Sequence, residues 1–135
     1  MKLYKNGELL PIYGMANLRN KTTGESFDLW IDEAGSDRNT SHNEARFKPK
    51  ANGIQLDIIL HNDGTTEIVD TDPRKIAKFK YAKEAIAFIE RFQKPLLMHW
   101  NGEIETAELA AMIRLVVKKH FDVPTAIEMV LNDDY

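Results

Sequence analysis

The chain of 135 residues is 43% hydrophobic and 29% charged, so it has enough apolar surface for a core and is not globally disordered. It contains no cysteine, which excludes disulfides, thiolate metal sites and a cysteine nucleophile. The formal net charge of -3 indicates no class of partner by itself, and the length predicts a single domain over residues 1–135.

Turn signals divide the first half of the chain into short strands. They are Asn6-Gly7, Thr23-Gly24, Asn52-Gly53 and Asp63-Gly64. Asn-Gly and Asp-Gly pairs supply the positive φ angles that tight hairpin turns need. The predicted strands lie near residues 2–5, 9–18, 25–32, 44–49, 53–61 and 65–70. The Asp63-Gly64 turn joins the last two strands into the clearest hairpin of the chain.

Alternation of apolar and polar residues predicts which side of these strands is buried. Ile54, Leu56, Ile58 and Leu60 share one face, and Phe27, Leu29 and Ile31 do the same in an earlier strand. Trp30 should then face away from the inner surface. Strands joined by short links favour an antiparallel meander, whose apolar face must be covered by other elements.

Helical patterns follow the strands. Asp72-Pro73 is a helix start, since Asp can accept backbone hydrogen bonds and proline is tolerated in a first turn. A stripe of apolar residues predicts a helix over 80–94, and Pro95 either kinks it or opens a new turn. Further helices are predicted over 105–120 and from Pro124 to Leu131. The expected fold is α+β, with a meander of about five or six strands packed against two or three C-terminal helices.

A basic stretch in the middle of the chain is the first candidate binding site. Residues 74–83 contain five basic residues, two aromatic residues and no acid. The basic residues are Arg74, Lys75, Lys78, Lys80 and Lys83. Clustered Lys and Arg can neutralise phosphates, and an exposed aromatic ring could stack on a base. The alternative is a solvated helix face with Phe79 or Tyr81 in the core.

A second basic group lies on the strand near 44–49. Arg46 and Lys48 are two residues apart and therefore point to the same side of the sheet, with Phe47 opposite and Lys50 in the following turn. They could extend the first basic site. The alternative is that these residues only discourage aggregation of a strand edge.

The polar stretch over residues 34–43 holds the best catalytic candidate among four histidines. His42 lies beside Glu44 and Arg46, so a general acid or base and an anion holder could coexist there. The alternative is a loop histidine without a role. We assign His61 to the hairpin turn, and His99 and His120 to helix ends. No histidine stands in a metal-binding spacing, and no cofactor motif is present.

The order of several features resembles a known family. A polar loop ends in His42, a strand begins at Ala45-Arg46-Phe47, a hairpin follows, and a helix closes with Trp100. Residues 38–101 resemble the bacterial family called domain of unknown function 4160, which makes 102–135 a C-terminal helical extension. The family often has a second histidine where this chain has Glu44, which weakens a paired-histidine site. The resemblance implies a gene context like that of toxin–antitoxin pairs and no particular chemistry.

These observations predict an intracellular interaction protein without enzymatic activity. It would belong to a toxin–antitoxin-like or mobile-element module and bind a small protein or nucleic acid through the basic stretch, and a homodimer is also considered. One alternative is a small metal-independent ribonuclease that uses His42 with Glu44 or Arg46. Another is a structural or phage-assembly protein. The absence of a signal peptide and of a long apolar run predicts a cytoplasmic location without membrane contact.

Overall fold

The computed structural model describes residues 4–5, 8–9, 15–32, 44–70 and 72–135, which form eight strands and six helices. The strands are β1 (Tyr4–Lys5), β2 (Glu8–Leu9), β3 (Met15–Leu18), β4 (Asp28–Asp32), β5 (Ala45–Ala51), β6 (Ile54–Gln55), β7 (Ile58–Leu60) and β8 (Thr66–Ile68). The helices are α1 (Asn20–Thr23), α2 (Pro73–Lys78), α3 (Ala82–Arg91), α4 (Gln93–Trp100), α5 (Thr106–Lys119) and α6 (Val123–Leu131). The predicted α+β fold is confirmed.

The main sheet is an antiparallel meander of six strands. Its order is β3-β4-β5-β7-β8, and β6 pairs with β5 beside β7. β1 and β2 form a separate two-stranded sheet, so the strand predicted near 2–5 does not join the meander. The turn predicted at Asn6-Gly7 and the stretch over 34–43 lie outside the described residues.

Pro49 explains why the strand predicted over 53–61 is divided into β6 and β7. The pairs Lys50–Gln55 and Phe47–Ile58 follow one continuous register. Within it, the Leu56 N–H donates to the Pro49 carbonyl at 3.0 Å. Proline has no N–H and cannot donate the second hydrogen bond of the pair formed by Pro49 and Leu56. The hydrogen-bond ladder is therefore interrupted while the register continues.

The sequence Thr23-Gly24 forms a helix end instead of the predicted strand-to-strand turn. The chain makes one helical turn, α1, and Gly24 closes it in the left-handed conformation with φ of 73°. The Gly24 N–H donates to the Asn20 carbonyl at 2.8 Å, and the Asp28 carboxylate accepts from the Asn20 N–H at 2.8 Å. α1 therefore links β3 to β4 and packs on α5.

The core lies between one face of the sheet and the helices. As the alternation predicts, Leu29, Leu56, Ile58 and Leu60 are completely buried, and Phe27 is 1% exposed. α3 contacts β8 and α4 contacts β5, while α5 packs on α4 and α6 packs on α5. The other sheet face carries the polar alternation, and Trp30 lies on that face, as predicted. Its side chain is half-buried there.

The helix predicted over 80–94 ends earlier, and a new helix follows. α3 ends at Arg91, Phe92 leaves the helical conformation, and α4 begins at Gln93. Pro95 is the third residue of α4, where a backbone N–H has no partner within the helix, so its missing donor costs little. Of the two alternatives for Pro95, the structure has the new helical segment, which buries Leu96 and Trp100.

Candidate functional site

Most of the basic stretch predicted over residues 74–83 forms an exposed surface on α2 and the start of α3. We call it the α2–α3 basic surface and define it by the four exposed residues Arg74, Lys78, Lys80 and Lys83. Asp72 caps the start of α2, since its carboxylate accepts from the Arg74 N–H at 3.0 Å, and Pro73 is the first residue of the helix. Since Arg74 and Lys78 are four residues apart on this helix, they lie on one side of it.

The charges of the α2–α3 basic surface are not cancelled by ion pairs. Across the described ranges, none of its four residues pairs with a carboxylate. Lys75 differs, because its ammonium lies 2.9 Å from the Asp70 carboxylate. That hydrogen bond holds the pKa of Asp70 below its ordinary value. Lys75 is therefore engaged within the protein, and the other four cations face solvent.

The two aromatic residues of the stretch anchor it to the core. Phe79 is 4% exposed, and its ring meets the Tyr81 ring edge-on with centroids 6.1 Å apart. Tyr81 is half-buried and lies 6.4 Å from the Phe27 ring. These contacts hold the link between α2 and α3 in place, while Lys80 in that link is exposed. Phe79 is thus a core residue, as the alternative interpretation predicted, and it is not available to stack on a base.

The second basic group lies on the outer face of the sheet, opposite the helices. Arg46 and Lys48 point to this side and Phe47 to the core, as predicted. The Arg46 guanidinium donates to the Asp57 carboxylate at 3.0 Å, with both side chains about three-quarters buried. Lys48 stands opposite Trp30 and is half-buried, whereas Lys50 is exposed. Arg46 is therefore engaged in an ion pair within the protein.

A cleft brings residues of both basic groups together. Its volume is about 310 Å³, and Lys48 from β5 and Lys75 from α2 both line it. Asp57 and Asp70 line it as well, so two carboxylates accompany the two ammonium groups. Because these charges balance, the cleft does not extend the positive charge of the α2–α3 basic surface across the sheet.

His61 forms a cluster that the sequence did not indicate. It follows β7, and its two ring nitrogens contact two carboxylates. Nδ1 lies 2.5 Å from the Glu44 carboxylate and Nε2 lies 3.1 Å from the Glu67 carboxylate. The hydrogen bond to Glu44, followed by that to Glu67, raises the pKa of His61 above its ordinary value. The signal available in the sequence was the Asp63-Gly64 turn, which puts His61 and Glu67 diagonally across one hairpin.

The residues predicted to accompany His42 have other partners. Glu44 contacts His61, and Arg46 pairs with Asp57. His42 itself lies outside the described residues, so the ribonuclease hypothesis stays a prediction. Of the remaining histidines, buried His99 lies 2.9 Å from the Thr106 hydroxyl, and His120 ends α5 with φ of 64°. Both stand at helix ends, as expected.

Over the part of the chain that the structure describes, no group of three or more His, Cys, Asp or Glu side chains is arranged to hold a metal ion. Within the same residues, no helix has the length and apolar character needed to cross a bilayer. Comparison with protein-family models, with curated proteins and with solved structures finds no match. The resemblance of residues 38–101 to domain of unknown function 4160 therefore stays a prediction.

Proposed function

We propose that this protein is an interaction module that binds nucleic acid through the α2–α3 basic surface. The observation that carries the proposal is the set of four exposed cations that have no ion pair among the described residues. Two of them lie on α2, a helix that buries none of its own residues. A phosphate backbone would neutralise these cations and release condensed counterions, which is the main source of sequence-independent nucleic-acid affinity. The module needs no catalytic group for this role.

The character of the surface favours nucleic acid over an acidic protein. Protein interfaces usually have an apolar centre, whereas nucleic-acid interfaces are more polar and more positive. Among the described residues, the large apolar side chains with high exposure are Phe121, Leu131 and Tyr135, all in the C-terminal part. The α2–α3 basic surface therefore offers charge without an apolar centre. Because Phe79 is buried, this surface would contact phosphates with little stacking of aromatic rings on bases, and binding would depend weakly on base sequence.

Two variants with equal loss of charge test the proposal. Lys78→Gln with Lys80→Gln removes two cations from the surface, and Lys118→Gln with Lys119→Gln removes two exposed cations at the end of α5. Fluorescence anisotropy with a labelled oligonucleotide would measure affinity at several salt concentrations. We expect the first variant to bind more weakly and to reduce the slope of log K against log salt by about two, since each phosphate contact contributes about one.

The second variant is the matched control and should keep the slope of the unaltered protein. Equal loss of affinity in both variants would show that only net charge matters and would contradict the proposal. Polyglutamate of similar charge is the further control, because binding as tight as that of the oligonucleotide would favour an acidic protein partner.

A place in a two-gene or mobile-element module belongs to the same proposal and rests on the resemblance alone. The identity of the neighbouring gene is the direct test. A partner gene of conserved position across related genomes would support the module, and an isolated gene would argue against it. Homodimer formation is tested separately, by measuring the molar mass of the purified protein in solution.

A further inference from the structure

The Glu44–His61–Glu67 cluster joins three parts of the sheet. Glu44 immediately precedes β5, His61 immediately follows β7, and Glu67 is the middle residue of β8. The side chains are 35%, 30% and 59% exposed, in that order along the chain. β8 is an edge strand of three residues that pairs only with β7 among the described strands. A contact at Glu67 therefore acts on a short edge strand of the meander.

Proton counting fixes the charge state that this geometry requires. An ionised carboxylate only accepts hydrogen bonds, and a neutral imidazole has one N–H. Both ring nitrogens of His61 face a carboxylate oxygen, at 2.5 Å and 3.1 Å. While both carboxylates are ionised, both contacts can be hydrogen bonds together only if both nitrogens carry a proton, which makes the ring an imidazolium. The arrangement is then one cation between two anions.

If the His61 imidazolium loses one proton to solvent, the two contacts cannot both remain hydrogen bonds. The remaining proton can serve only one nitrogen, and the other nitrogen then presents a lone pair to a carboxylate oxygen. The contact with Glu44 is shorter, and the Glu44 side chain is less exposed than that of Glu67. The proton should therefore stay on Nδ1, and the contact with Glu67 should break.

We propose that His61 is a proton-controlled latch, which fastens β8 to the sheet through Glu67 when the ring is charged and releases it when the ring is neutral. Among the described residues, the other charged groups near the ring do not replace Glu67. Asp63, in the hairpin turn, binds the Thr65 N–H and hydroxyl, and Arg46 on β5 is paired with Asp57. The latch is independent of the α2–α3 basic surface and of the proposed function.

The sign of the pH dependence follows from linkage. The carboxylates raise the pKa of His61 in the folded protein above its ordinary value of 6.5. The latch therefore contributes its full stability below about pH 6.5, the unfolded-state pKa. The contribution disappears as pH rises through the higher folded-state pKa. β8 should thus loosen in mildly alkaline solution and tighten in mildly acidic solution.

NMR on the intact chain tests the latch with two readouts. One is the titration of the His61 ring, and the other is the hydrogen exchange of the Glu67 and Val69 amides, corrected for intrinsic base catalysis. The Val69 N–H donates to the Asp57 carbonyl at 2.9 Å, and Glu67 stands opposite Ile59, so both amides report on β8. We expect a His61 pKa above 6.5 and a several-fold loss of protection at both amides across that titration.

Glu67→Gln is the decisive variant. A glutamine amide can donate or accept, so it can contact either form of the ring, and the pH dependence of β8 protection should vanish while the pKa of His61 falls. His120→Asn removes an exposed histidine elsewhere and should change neither readout, since asparagine tolerates the left-handed conformation at that position. The latch would be overturned if the protection of the Glu67 and Val69 amides did not change across the His61 titration, or if its pH dependence persisted in Glu67→Gln.

Discussion

Gly24 is the residue at which backbone conformation and close packing coincide. Its φ of 73° lies in the left-handed region, and a Cβ at this position would stand 2.6 Å from Val117 Cγ1 on α5. Valine is branched at Cβ and stiff, so it cannot easily move aside. Gly53 has a similar φ of 77° in the turn between β5 and β6, but a Cβ there would meet nothing within 4 Å.

The pair Gly24→Ala and Gly53→Ala separates these two effects. Gly53→Ala should lose about 1–2 kcal/mol of unfolding free energy, because only the left-handed conformation is penalised. Gly24→Ala should lose about 1–3 kcal/mol more, because it also overpacks the contact between α1 and α5. Urea unfolding of both variants measures the difference. Equal losses would show that α1 is not packed against α5 as described.

Side-chain partners on the sheet show the limit of sequence analysis at the residue scale. Alternation correctly placed Arg46 and Lys48 on one face and Phe47 on the other. It could not pair Arg46 with Asp57, or Glu44 with His61, because those pairs are separated by 11 and 17 residues and depend on the register of β5 and β7. A two-residue period predicts a face, and only the register identifies the partner.

Helices α2 and α6 begin alike and differ in what they bury. Asp72 caps α2 by accepting from the Arg74 N–H, and Asp122 caps α6 by accepting from the Thr125 N–H at 2.7 Å. Proline follows in the first turn of each. Helix α6 buries Ala126, Ile127 and Val130, whereas α2 buries none of its residues. The end of α2 is instead held by Phe79.

We therefore expect different responses to Asp72→Ala and Asp122→Ala. Loss of the cap on α6 should lower the urea midpoint of the whole protein, since that helix is part of the cooperative core. Loss of the cap on α2 should leave the midpoint nearly unchanged and speed hydrogen exchange at Arg74 and Ile76, because the helix frays locally. If Asp72→Ala lowers the midpoint as much as Asp122→Ala, then α2 is part of the core.

Prolines account for two element boundaries that periodicity alone could not settle. Apolar residues continue at helical spacing from Ala82 to Leu96, so the pattern predicts a helix but not the break at Phe92, three residues before Pro95. Alternation likewise continues from Ile54 to Leu60 across the gap between β6 and β7. That gap originates in Pro49 on the neighbouring strand, which no pattern within residues 54–60 contains.

At the scale of the whole molecule, the charge is segregated along the chain. Residues 74–100 hold seven Lys and Arg against two Asp and Glu, and residues 101–135 hold three against seven. The structure places the basic residues of the first set on exposed positions of α2, α3, α4 and the link between α2 and α3, apart from Lys75. The fold class and the exposure of these cations could therefore be predicted from composition and periodicity. The cleft that joins Lys48 to Lys75 could not, because it depends on how α2 lies beside β6.

The most direct test of the account is a chemical-shift map of nucleic-acid binding. Isotope-labelled protein would be titrated with a short oligonucleotide at low salt, with amide shifts followed along the chain. We predict the largest changes at Arg74, Lys78, Lys80 and Lys83, reversed by added salt. Largest changes at the outer face of the sheet or on α6, or no changes at all, would contradict the proposed binding surface.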